Sequence, residues 1–242
     1  MNDLSVLSNK TGLSWQLASN IGTKIVNGEY IPGELLPREA ELGTAFSVGR
    51  SAVREAIQML ASKGLVDARP RRGTIICPRS DWSFLDADLL SWINEAGPDE
   101  AFLLELVDMR LAVESEASAL AAQRCVPEEV ERLRQCHDRM VAAADGRDDP
   151  IAADLAFHKA IVVASGNRFM LPLVAIVSTT LRFSFRYTNA LTGTNVGDLD
   201  AHESIVTAIE AKDPEAARAA VRGLLEDVRD AVVGDGKRRR PS

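Results

Sequence analysis

Apolar residues recur three and four positions apart along almost every long segment of this chain, and that spacing confines it to a fold built mainly of helices. Beyond Asp99 the pattern hardly breaks. Phe102, Leu106, Met109, Val113, Ala117 and Leu120 form one stripe, and Val130, Leu133 and Met140 form a second behind Pro127. Ile151, Leu155, Ile161 and Val162 form a third, closed by Ser165-Gly166-Asn167. A long helix is expected from about 169 to 187, then two more over 199–211 and 214–233, the last with Asp213 as N-cap and Pro214 at its first position. The expected result is an all-α bundle of about six helices.

Only the first third reads differently. Leu13, Leu17, Ile21 and Ile25 make a stripe that stops near Gly28, and Pro32, Gly33 and Pro37 mark a turn segment. A short helix is expected over 38–46 and a longer one over 50–63, with Val53, Ile57 and Leu60 on one face and a tight break at 47–49. Residues 65–77 then read as a hairpin, two β-prone runs flanking Arg69-Pro70-Arg71-Arg72-Gly73. Helix, helix, turn, helix, hairpin is the order of a winged helix-turn-helix. The fold class expected is therefore mainly α, a winged helix-turn-helix followed by a helical bundle. The expected boundaries are 1–80 for the winged domain, 81–99 for a linker with a packed helix, 100–235 for the bundle and 236–242 for a basic, solvated tail. Trp82, Phe84, Leu85 and Trp92 make the linker too apolar to float in water.

Composition narrows the partners. Apolar residues at 46% and charged ones at 26% are ordinary for a globular chain. No apolar run approaches the ~20 residues of a membrane span, and nothing at the N-terminus reads as a secretion signal. Three cysteines without a CxxC pair suit a reducing compartment, so a cytoplasmic chain with no membrane partner is expected. The net charge of −7 hides an asymmetry. Residues 1–80 hold ten Lys/Arg against seven Asp/Glu, and within 50–79 the ratio is seven to two. A basic module on an acidic body points to a polyanion partner.

Arg50 and Arg54 share one helical face, opposite the Val53/Ile57/Leu60 stripe, and a guanidinium can donate two hydrogen bonds to guanine O6 and N7. Ser51 sits at the helix start, where a hydroxyl and backbone amides suit a phosphate. Arg69, Arg71 and Arg72 crowd the hairpin tip, and Gly73 allows close backbone approach. Residues 25–42 (IVNGEYIPGELLPREAEL), 49–66 (GRSAVREAIQMLASKGLV) and the RRGT of the hairpin resemble the DNA-binding domain of the GntR family of bacterial transcription regulators. The resemblance implies that Arg50, Arg54 and the residues near Gly73 contact double-stranded, palindromic operator DNA. Many FadR-like members carry an arginine in the helix before the turn, where this chain has Ala40; Arg38, two positions away on another face, stands as a further DNA-contact candidate.

Three polar residues interrupt the bundle stripes. Asp154 and His158 fall in the third stripe and His202 in the one over 199–211. Turned into a core, a carboxylate and two imidazoles must be paired or bound. Two readings stay open: an Asp–His hydrogen bond with His202 packed separately, or one divalent cation on all three, for which Asp-x-x-x-His on one helical face is good ligand spacing. Arg110, with Glu114 four residues on, and Arg182 each read either as a structural ion pair or as a clamp for a carboxylate. Cys136 and His137 read as ordinary core or surface residues.

Residues 154–167 (DLAFHKAIVVASGN) and 201–221 (AHESIVTAIEAKDPEAARAAV) resemble the FCD effector domain of the FadR subgroup. The resemblance implies a divalent metal, zinc first, with nickel, manganese or magnesium possible, on Asp154, His158 and His202. It also implies a small carboxylate effector at Arg110 and Arg182, and a homodimer. The fourth ligand position of metal-binding members corresponds to Leu224, a departure that leaves three ligands and open positions. Residues 78–92 (PRSDWSFLDADLLSW) resemble the linker of galactonate-responsive repressors of sugar-acid operons, which implies a sugar acid. The function expected is a transcription regulator, a repressor, with no catalytic residues. The alternatives are a metal-dependent hydrolase of a small organic acid or lactone, and a helical interaction module. Against the hydrolase, no HExxH, Ser/His/Asp set or phosphate loop is present.

Overall fold

The computed structural model describes residues 12–69, 72–97, 99–179, 181 and 197–239. The chain divides into two compact units, Met1–Gly97 and Pro98–Ser242.

In the first unit α1 (Leu13–Val26), α2 (Glu39–Ala45) and α3 (Arg50–Ser62) precede a two-stranded antiparallel sheet, β1 (Val66–Arg69) and β2 (Gly73–Ile76), paired from Val66↔Ile76 to Arg69↔Gly73. α3 is amphipathic: Val53, Ala56, Ile57 and Leu60 are buried against α1 and α2 while Arg50, Ser51, Arg54 and Gln58 face water. Leu17, Ile21 and Ile25 are buried on α1, but Leu13, the first residue of the helix, is 58% exposed. The turn segment before α2 hydrogen-bonds to β2. Leu36 N–H donates to Thr74 O (2.8 Å), Ile76 N–H donates to Glu34 O (2.9 Å), and Leu35 forms a bridge with Ile75.

Residues 81–97 fold within this unit. Asp86 caps α4 (Ala87–Ala96) by accepting from the amides of Asp88 and Leu89. Leu89, Leu90, Trp92 and Ile93 are buried, and α4 packs on α1. Trp92 lies so close to α1 that a Cβ on Gly22 would stand 2.4 Å from its ring, so only glycine permits the approach. Lys63 at the end of α3 donates to both oxygens of Asp86 (2.8 Å) and to Asp88 Oδ2 (2.9 Å).

The second unit is all-α: α5 (Glu100–Arg124), α6 (Pro127–Ala144), α7 (Pro150–Ala164), α8 (174–179, with 181 also helical), α9 (Leu199–Glu210) and α10 (Pro214–Arg239). α10 lies along α5, and α7 packs against α5 and α6. Four helices start on an aspartate whose carboxylate accepts a first-turn amide: Asp99, Asp149, Asp198 and Asp213. Two helix ends differ from the spacing. Phe169 sits in a turn, 84% exposed, and a 3-10 turn at Leu171–Leu173 precedes α8, since Pro172 lacks the N–H a continuing helix needs. α10 continues past Val233 to Arg239, so the helix takes up the start of the basic tail. Residues 182–187 of the expected long helix lie outside the described residues. Among the described residues no helix is long and apolar enough to cross a membrane.

Candidate metal centre and DNA interface

Asp154 and His158 stand one turn apart on α7, and His202 lies one turn into α9. The packing of α7 and α9 into one core brings the three together, each 4% exposed or less, with one potential ligand atom apiece all within 4.8 Å of one another. Phe157 walls the rings from one side, its centroid 5.9 Å from His158 and 5.1 Å from His202. On another side Gly197 leaves room, since a Cβ there would stand 3.1 Å from His202 Cε1 and 3.9 Å from Asp154 Oδ1.

The two rings are oriented alike. His202 Nδ1 is 2.5 Å from the Asp198 carbonyl oxygen, which can only accept, so the ring proton is on Nδ1. That leaves Nε2 buried without a hydrogen-bond partner, 3.2 Å from Asp154 Oδ1. His158 Nδ1 stands 2.5 Å from Glu114 Oε2 but too far off the line for a hydrogen bond, and its Nε2 is 3.6 Å from the same Asp154 Oδ1. Both Nε2 atoms thus confront a carboxylate oxygen. Lone pairs so placed in a core repel unless a positive charge stands between them, either a proton on each ring or one cation held by all three. Two imidazole nitrogens and a carboxylate oxygen suit zinc, nickel or manganese, and three ligands leave open positions. Leu224, buried on α10, supplies no ligand atom.

Arg110 and Glu114 form a buried pair one turn apart on α5, Nε donating to Oε1 at 2.5 Å. Arg110 Nη2 also stands 3.3 Å from His158 Nε2. Burial alone would push the Glu114 carboxyl up, but the charges of Arg110 and His158 outweigh it and hold it at about 2. Burial would likewise lower His158, but Glu114 and Asp154 raise it to about 9. Asp154 is held well below the usual carboxylate range, burial being outweighed by His158 and His202. The Arg110–Glu114 spacing was legible in the sequence. The approach of Glu114 to His158 was not, because it joins positions 44 apart on different helices.

His137, half-buried, holds the start of α9 through the Leu199 carbonyl (Nε2 at 3.1 Å) and approaches Glu203 (Nδ1 at 3.3 Å). It is absent from the Asp154 cluster. Arg182 lies outside the described residues.

In the first unit Arg50 and Ser51 open α3, exposed, behind Gly49, and no side chain caps the helix. Arg54, one turn on, is exposed and donates Nε to Glu39 Oε2 at 3.0 Å. Arg50 has no ion pair among the described residues. Arg38 is the exposed N-cap of α2, its amide donating to Glu41 Oε2 (2.8 Å). Arg72 and Gly73 stand exposed at the hairpin end, Gly73 at φ +85°, a backbone angle that favours glycine. Arg71 lies outside the described residues.

Known proteins carry the same two parts. Residues 13–76 match the family described as bacterial regulatory proteins, gntR family, and residues 105–227 match the FCD domain. The Escherichia coli regulator YieP, an uncharacterized HTH-type transcriptional regulator, is 36% identical over 90% of this chain and 95% of its own. The Escherichia coli galactonate operon transcriptional repressor is 30% identical over 87% of this chain and 92% of its own. A solved structure of Lar, described as controlling expression of the Listeria monocytogenes agr system, has a TM-score of 0.64. It covers 96% of this chain and 99% of its own at 19% identity, a likeness of fold alone. The matched families and these relatives are transcriptional regulators, which sets aside the hydrolase alternative. The chain belongs to the gntR family of bacterial regulatory proteins, with a winged helix-turn-helix at its N-terminal end and an FCD domain after it.

Proposed function

We propose that this transcriptional regulator binds palindromic operator DNA as a homodimer. It loses operator affinity when a small carboxylate binds beside a divalent cation held by Asp154, His158 and His202. One observation carries the reading: both imidazoles turn Nε2 to one buried carboxylate oxygen, and His202 Nε2 has no hydrogen-bond partner. The cation would neutralise Asp154 and offer open positions to a carboxylate, with Arg110 close enough to share the anion. The likeness to the galactonate operon repressor supports a sugar acid as effector and repression as the mode. Arg50 and Arg54 would read bases, Ser51 and the amides of α3 would hold a phosphate, and Arg38, Arg71, Arg72 and Gly73 would lie against the backbone or a neighbouring groove. The effector must bind the operator-competent and released arrangements unequally, or it shifts nothing.

The test is metal analysis of the purified protein together with an operator-release titration of His202→Ala. The variant is expected to lose metal and to stay on its operator when sugar acid is added, because the winged unit does not contain the site. A variant that retains the wild-type metal content and releases DNA at the same sugar-acid concentration would reduce the cluster to a structural Asp–His arrangement. A thermal-shift screen of sugar acids, with and without zinc, identifies the effector.

A further inference from the structure

His202 and His158 obtain the same orientation by different means. His202 is near a helix start, where the Asp198 carbonyl is within reach of its Nδ1. His158 is in the middle of α7, where backbone carbonyls are engaged by the helix itself. Its Nδ1 therefore needs an acceptor from another element, and the carboxylate that faces it is Glu114 of α5, Oε2 2.5 Å away though off the line of a hydrogen bond. Glu114 is completely buried, and Arg110 on its own helix already pairs with it. The second oxygen, Oε2, lies 3.4 Å from Arg110 Nη2 and 2.5 Å from His158 Nδ1, so it stands between the guanidinium and the ring. Arg110 Nη2 can only donate and stands 3.3 Å from His158 Nε2, so a cation on that nitrogen would displace it from the lone pair.

We infer that Glu114 is a positioning residue for the cation site: acting through His158, it holds the ring proton at Nδ1 and leaves the Nε2 lone pair facing Asp154 and His202. The inference rests on the cation reading above and adds to it a residue that touches no ligand position. A carboxylate behind a ligating histidine fixes the tautomer and makes the other nitrogen a better donor. Arg110 holds that carboxylate in place, Nε donating to Oε1.

The full-length protein is titrated with zinc against a chromophoric chelator, as wild type, Glu114→Gln and Glu114→Leu, with thermal unfolding and duplex-DNA binding as folding controls. Glutamine loses the charge but keeps a carbonyl acceptor for Nδ1, so zinc affinity is expected within about threefold of wild type, while leucine loses about 10–100-fold. Nitrogen-15 spectra of the zinc-loaded wild type should show His158 bound through Nε2 and protonated at Nδ1. This measurement decides the matter even if Glu114→Leu does not fold. Three outcomes overturn the inference and leave the cation reading standing: leucine binding zinc like wild type, glutamine losing as much as leucine, or zinc on His158 Nδ1. A wild type that takes up no zinc overturns both.

Discussion

Arg50 and Arg54 are one turn apart at the start of α3, yet their surroundings differ. Arg54 gives its Nε to Glu39, which leaves the two Nη groups as its outward edge. Arg50 has no ion pair among the described residues and can turn either edge outward. Arg50→Ala is therefore expected to cost ~1–3 kcal/mol on the operator and to relax preference at one base. Arg72→Ala should weaken binding to all DNA about equally, because a phosphate contact carries no sequence information. Titrations on operator and scrambled duplexes compare the two, and an equal loss on both for Arg50→Ala would remove it from base reading. The spacing of Arg50 and Arg54 was plain in the sequence. Glu39 as the partner of Arg54 was not, since only the packing of α2 on α3 brings positions 15 apart together.

At the scale of elements, α4 is the instructive case. Its apolar content marked it as packed, but its partner became visible only where Trp92 meets Gly22 and Lys63 meets Asp86 and Asp88. Gly22→Ala should destabilise the first unit by ~1–3 kcal/mol, because the added carbon overlaps a ring that has no room to move. Lys63→Met removes the cation between two aspartates. Both carboxylates are partly exposed, so the loss should be ~1–3 kcal/mol, below that of a wholly buried pair. Burial alone would lower the Lys63 pKa, but hydrogen bonds and charges from Asp86 and Asp88 outweigh it and raise it above the ordinary 10.5. The folded chain then keeps the proton longer than the unfolded one. The stabilisation is whole below pH 10.5 and disappears as pH rises through the higher folded value. Thermal unfolding of wild type and Lys63→Met across that range should converge at the alkaline end. A constant gap would detach the effect from the Lys63 charge.

For the whole molecule the expectation is a homodimer, because a palindromic operator presents two half-sites and each chain has one winged unit. Sedimentation equilibrium at micromolar concentration should return twice the mass of the 26.2 kDa chain. A monomer with full operator affinity would exclude the two-fold arrangement. Effector control then requires that a change around Asp154 in the second unit alter how two winged units meet DNA, a coupling measured as the ratio of operator affinities with and without sugar acid.

Local chemistry decided much of this protein before any packing was known. The 3.6-residue period, the proline and glycine stops and the basic run over 50–79 determined a helical bundle behind a winged helix-turn-helix. A polar residue inside an apolar stripe marked Asp154, His158 and His202 as buried, because periodicity reports which face a side chain takes. It does not report what stands opposite. That Glu114 approaches His158, that the Asp198 carbonyl holds His202, that residues 34–36 bond to β2 and that Trp92 needs Gly22 were settled only by tertiary structure. Each of these joins elements whose mutual placement is set by the shape of the whole core, and no local spacing encodes that shape.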